Sequence, residues 1–219
     1  MKSKDIRLKA SDICKRNTKI LVLITLIYVA ITGAFSISFE TGNEKTSMLL
    51  STLSAAGLFI TGPMTYGILN VIILNHNGVK PSVKDLFEGF KYFWKLFVLN
   101  LLISIYTFLW ALLFIVPGII KAVAYSKAYN IFYENPDLTP KECIRQSMQL
   151  MDGHKWDNFC LMLSYIGWYI LCTLTLGVLT LWVLPKVQTA DYIFYRLITK
   201  KEEQQQEQEQ VLIQEESLL

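Results

Sequence analysis

The stretch "WKLFVLNLLISIYTFLWALLFIVPGIIKAVAYSKAYNIFY", Trp94 to Tyr133, decides how the chain folds. It runs for 40 residues with three charges, Lys95, Lys121 and Lys127. As a single helix it would be about 60 Å long, twice the roughly 30 Å of bilayer hydrocarbon. It must therefore turn. "IVPGII" at 115–120 offers the place, because proline and glycine interrupt helices. Two crossings follow, at about 94–115 and 117–133. A second block of equal length, Trp156 to Tyr195, sets the same problem. It turns within "TLTLGVLTLWVLPKV", 173–187, and gives crossings at about 157–175 and 178–198.

Upstream, "ILVLITLIYVAITGAFSISF", Ile20 to Phe39, forms a first uncleaved span, followed by the polar loop "ETGNEKTS". The next run, Met48 to Leu74, contains "TGPM" at 61–64. It is either one kinked span or a short outer segment feeding a span from about Ala55. The fold class expected is all-α: a polytopic transmembrane helical bundle of about six spans, occupying 20–198 as one membrane domain. A basic cytoplasmic segment covers 1–19. The polar low-complexity tail, 199–219, is read as a disordered or frayed-helix end.

Composition agrees with that class. The 219 residues are 53% hydrophobic and 18% charged, against about 45–50% and about 25% in soluble domains. Mean hydropathy is +0.36. The four cysteines and two histidines have no metal-ligand spacing, so no zinc site is expected, and no cysteine falls in a segment read as outside, so no structural disulfide is expected.

Charge placement orients the chain. Seven Lys or Arg precede residue 20, four more lie in 75–95, three in 134–156 and three at 196–201. Lys45 alone falls clearly in an outer loop. This is a strong positive-inside pattern, with both termini cytoplasmic.

Two polar segments separate the spans. Ser82 and Asp85 form an S-x-x-D capping signature, and Thr139 and Glu142 another, with Pro140 in the first turn. Each opens a helix read as interfacial and amphipathic. Val83, Leu86, Phe87, Phe90 and Trp94 step along one face of the first; Ile144, Met148 and Met151 share a face of the second. The segments lead into Trp94 and Trp156, read as interface anchors. Both apolar blocks close on "IFY", at 131–133 and 193–195. The two units, about 82–133 and 139–195, are therefore read as a parallel internal repeat.

Charges inside spans are functional hypotheses. Lys121 and Lys186, close to Pro117 and Pro185, are read as snorkelling to the outer interface. Lys127 and Asp191 lie deeper, at similar distances from "IFY", and form a candidate pair: a structural clasp, an accidental neighbour, or part of a proton or solute path. Gly118, Ala122 and Ser126 make a small-residue packing stripe. No Walker loop, G-x-S-x-G, H-E-x-x-H or twin-carboxylate pattern occurs, so no catalytic residue is expected.

The motifs Pro117-Gly118, Glu134-Asn135-Pro136, Ser147, Leu150-Met151, Gly153-His154-Lys155, Ile166-Gly167-Trp168 and Trp182 together resemble an uncharacterised bacterial integral-membrane family, domain of unknown function 975. More remotely, the pattern is similar to the membrane domain attached to some glycerophosphodiester phosphodiesterases, without their catalytic domain. The resemblance implies a multi-pass bacterial plasma-membrane protein and supplies no catalytic residues. Lys127 stands where the family pattern often carries methionine.

Three functions compete. The first is a non-enzymatic scaffold, accessory or envelope-related protein, with a cytoplasmic partner at 139–156. The second is a small-solute or lipid transporter using the proline-broken spans. The third is a lipid-headgroup enzyme near His154 and Asp157. The partner expected in every case is the lipid bilayer, with no nucleic acid and no cofactor.

Overall fold

A computed structural model describes the backbone of residues 3–36, 44–175 and 177–216, and the side chains of 3–33, 57, 59–175, 177–201 and 204. The expected outer loop at 40–47 lies partly outside the described residues. The elements are α1 (Ser3–Lys15), α2 (Thr18–Ser36), α3 (Glu44–His76), a 310 helix (Val83–Tyr92), α4 (Phe93–Leu113), α5 (Ile115–Tyr125), α6 (Ala128–Glu134), α7 (Pro140–Leu150), α8 (Lys155–Leu163), α9 (Ile166–Leu174) and α10 (Thr180–Glu216). The protein is all-helical among the described residues.

The turn in the first long block is Phe114, extended at φ −157° and ψ 141°, three residues before Pro117. Pro117 falls in the first turn of α5, where a backbone N–H has no intrahelical acceptor and its loss is tolerated. The proline thus starts a helix instead of marking the turn. In the second block, the Gly177 N–H donates to the Cys172 carbonyl at 2.8 Å. Gly177 has φ +84°, a left-handed conformation that glycine adopts without a Cβ penalty.

Further breaks divide the expected spans. α5 gives way to α6 at Ser126–Lys127, and α8 to α9 at Ser164–Tyr165. One helical run, Val83–Leu113, is long and apolar enough by itself to cross a membrane among the described residues. Ser3–Lys15 with Thr18–Gly33, bent by 98°, passes only as a pair. The run from 48 to 74 lies within the single helix α3, with Pro63 inside it. α10 continues through the polar tail to Glu216.

The amphipathic segment at 83–92 is a 310 helix that runs directly into α4. Its three-residue period splits the stripe read from the sequence. Leu86 and Gly89 are buried. Phe87 and Phe90 stay exposed and start an aromatic ladder, Phe87–Phe90 at 6.1 Å and Phe90–Phe93 at 6.3 Å. The buried side meets α3 backbone to backbone. A Cβ on Gly67 would collide with the Leu86 carbonyl, and one on Gly89 with the Pro63 carbonyl. Asn70 Nδ2 donates to the Asp85 carbonyl at 3.1 Å across the same contact. Gly118 serves the α4–α5 hairpin similarly, with Ala111 Cα 2.8 Å from an added Cβ. Ala122, expected on the same packed stripe, is exposed.

α1, read as a basic segment only, is an amphipathic helix burying Ile6, Ala10, Ile13 and Cys14. It packs along α10, with Cys14 Sγ 3.3 Å from Thr189 Oγ1. α10 also crosses the ends of α3 and α6: Tyr192 lies edge-on to His76 at 5.2 Å, and the Tyr195 hydroxyl donates to Glu134 at 2.6 Å. These elements share the main buried core with α7. By contrast, the α4–α5 tip leaves Leu112, Leu113, Phe114, Ile115 and Val116 exposed, and α9 leaves Ile170, Leu171 and Leu174 exposed. Exposed apolar patches of this kind mark a membrane or a partner.

Candidate functional site

The break between α5 and α6 builds the site. Val123 O receives both the Ser126 N–H at 3.3 Å and the Ser126 hydroxyl at 2.8 Å. Lys127 N–H therefore needs another acceptor, and Ser147 Oγ of α7 supplies it at 3.1 Å. The same hydroxyl donates to the Ala124 carbonyl at 2.7 Å. One serine thus satisfies a donor on one side of the break and an acceptor on the other. An interrupted helix persists in an apolar setting only when its freed backbone groups find such partners.

The Lys127 side chain is fully buried. Its ammonium pairs with Asp191 of α10 and donates to Asn158 Oδ1 of α8 at 3.4 Å. It also lies 5.3 Å from the centre of the Phe194 ring, at cation–π distance. Asn158 Nδ2 reaches back to Ser126 Oγ at 3.5 Å. Two helices, α8 and α10, thereby converge on the ammonium, while α7 holds the backbone of the same residue. Lys127 lies seven residues before Glu134, about 10 Å along the helix, so the pair belongs to the half of the molecule nearer α7.

A cavity of about 420 Å³ lies nearby, lined by His154, Asp157, Phe194 and Lys201 among others. His154 Nδ1 is 3.9 Å from Asp157 Oδ2. Phe194 touches both this cavity and the Lys127 ammonium, and neither Lys127 nor Asp191 lines the cavity.

Other residues singled out in the sequence lie elsewhere. Lys121 sits over the Trp110 ring at 5.0 Å and does not join the pair. Ser82 N–H donates to Asp85 at 2.7 Å, and Ser82 Oγ accepts from Lys84 N–H at 3.1 Å. Thr139 donates through its N–H and hydroxyl to Glu142, at 2.9 and 2.7 Å. These bonds hold the Glu142 carboxyl below its usual range. Burial pushes the Cys143 thiol, on the inner face of α7, up to about 11. Trp94 and Trp156 are equally exposed, at 71%.

Ser147 and Asn158 escape assignment as site residues from sequence. Ser147 sits in a polar helix, where a hydroxyl ordinarily faces solvent. An asparagine two residues into an apolar block is the signal that could have found Asn158.

The family model described as a protein of unknown function, DUF975, matches residues 1–124 and 113–202. No curated protein and no solved structure matches.

Proposed function

The chain belongs to the DUF975 family of proteins of unknown function, and we propose that it is a multi-pass bacterial plasma-membrane protein with a non-enzymatic, accessory role. Three hairpins, α2–α3, α4–α5 and the α8/α9–α10 unit, enter the bilayer from the cytoplasmic side, keeping both termini inside. The exposed apolar residues of the α4–α5 tip and of α9 support insertion, as does the positive-inside charge bias. The last hairpin reaches less deep than the first two. Lys186 lines one cavity with Lys4 and Arg7 of α1, which, with α1 cytoplasmic, favours the inner side for Lys186 over the outer interface.

The observation that carries the accessory reading is the burial of Lys127 in its ion pair with Asp191. Lys127 is wholly buried and lines neither the cavity beside His154 nor the one bordered by Lys186, which supports reading the pair as a clasp joining α6 to α10. Contact with a partner falls to α7. Its inner face, Cys143, Ile144, Ser147 and Leu150, is buried, while Lys141, Arg145 and Gln149 form an exposed stripe at steps of four.

Affinity purification from membranes, with and without Lys141→Glu and Arg145→Glu, tests this reading. A stable protein partner lost on charge reversal is expected. Solute uptake by reconstituted vesicles that disappears in Asp191→Asn would replace it with the transporter reading, which the re-satisfied helix break favours.

A further inference from the structure

A second cavity, of about 510 Å³, lies between α1, the α8–α9 break and α10. Its charged lining is entirely cationic: Lys4 and Arg7 from α1 and Lys186 from α10, with no carboxylate among the lining residues. None of the three makes an ion pair among the described residues. Two instead lie against aromatic rings, Arg7 over Tyr165 at 5.0 Å and Lys186 over Trp168 at 5.9 Å. Such an arrangement positions the cations while leaving donors for an anion. Ser11 and Ser164 add hydroxyls to the lining. Tyr165 is the N-cap of α9, so the positive end of a helix dipole contributes in the same sense.

One wall is apolar. Leu8 and Trp168 line the cavity and are themselves exposed, and Ile166 and Ile170 of α9 extend that surface. A free inorganic anion would gain nothing from it. We propose that this cavity binds the phosphate headgroup of an anionic phospholipid, with the acyl chains lying along α9. The phosphate would rest among Lys4, Arg7 and Lys186. Basic pockets on the cytoplasmic side of membrane helices recognise headgroups in this way. The inference rests on the membrane reading above and adds a ligand class to it.

The test uses the full chain in neutral detergent, with native mass spectrometry counting bound phosphatidylglycerol against phosphatidylcholine. Preferential retention of phosphatidylglycerol is expected. Arg7→Gln with Lys186→Gln should weaken it about thirtyfold, at about fivefold per cation. Lys4→Gln, on an exposed side chain, should weaken it about fivefold without risk to the fold. Lys141→Gln with Arg145→Gln removes the same charge elsewhere and should change nothing. No preference for the anionic lipid, or an equal loss in that control pair, would overturn the proposal. Inorganic phosphate or glycerol 3-phosphate competing at the lipid's own concentration would keep the phosphate site but assign it to a free anion. Resistance of the protein to alkaline carbonate extraction reports the membrane reading separately, and these variants should leave it unchanged.

Discussion

At the scale of single residues, the ammonium of Lys127 organises the interior. A buried charge is tolerated only when paired and hydrogen-bonded, and Asp191, Asn158 and the Phe194 ring meet that demand. Removing one partner strands the other, so Asp191→Asn should cost about 3 kcal/mol of stability. Lys127→Met with Asp191→Leu should recover most of it, because well-packed apolar replacements of an ion pair are often neutral. Thermal unfolding in detergent checks both; an Asp191→Asn protein as stable as the parent would remove the clasp. Ser147→Ala should cost about 1–3 kcal/mol by orphaning Lys127 N–H and the Ala124 carbonyl, seen as faster exchange of the Lys127 amide. Glu142, at the N-terminus of α7, gives a pH test. Its folded carboxyl titrates below the unfolded value of about 4.3. Its contribution is therefore complete above that value and fades as pH falls through the folded one. The protection of the Cys143 amide against exchange, relative to its intrinsic rate at each pH, should fall below about pH 4, since this amide bonds to the Thr139 carbonyl at 3.1 Å. Glu142→Gln should remove that acid sensitivity, and identical acid profiles for both proteins would contradict this cap. The juxtaposition of Lys127 and Asp191 was legible from their distances to "IFY". The serine that plugs the break was not, because local sequence does not say which hydroxyl faces a gap in another helix.

At the scale of elements, length and punctuation revealed that the 40-residue blocks must turn, but not where. Pro117 drew the turn toward itself, yet a proline is compatible with a first helical turn, and the bend falls at Phe114. The 83–92 stripe misled through its period. Steps of three and four suit an α-helix, whereas the 310 form places Leu86 and Gly89 inward and Phe87, Phe90 and Phe93 in a ladder. Glycine contacts hold this segment to α3, and their partners are backbone atoms that cannot swing aside. Gly67→Ala should therefore destabilise by at least about 1–3 kcal/mol, the range for overpacking. Gly167→Ala, in α9 with nothing within 4 Å of the added Cβ, should be neutral or stabilising by up to about 1 kcal/mol. Unfolding midpoints of the two variants decide this, and equal behaviour would contradict the close approach.

For the whole molecule, the all-helical class was legible in composition and apolar run lengths, and the family match agrees with the resemblance carried by the motifs at 117–182. The arrangement of α1 and α10 was not legible. Four residues, Ile6, Ala10, Ile13 and Cys14, make α1 a packing helix, but seven basic residues before position 20 conceal them beneath a topology signal. Nor does a hydropathy profile distinguish a straight span from one broken at Ser126 or Ser164. The proposed orientation remains the claim on which the accessory reading depends, because it puts the exposed stripe of α7 in the cytoplasm. Its most direct test is labelling of single cysteines, Lys45→Cys and Lys141→Cys, in a cysteine-free background in intact cells with a membrane-impermeant maleimide. Position 45 is expected to label from outside and position 141 only after the cells are opened. Labelling of both positions from the same side would contradict that orientation.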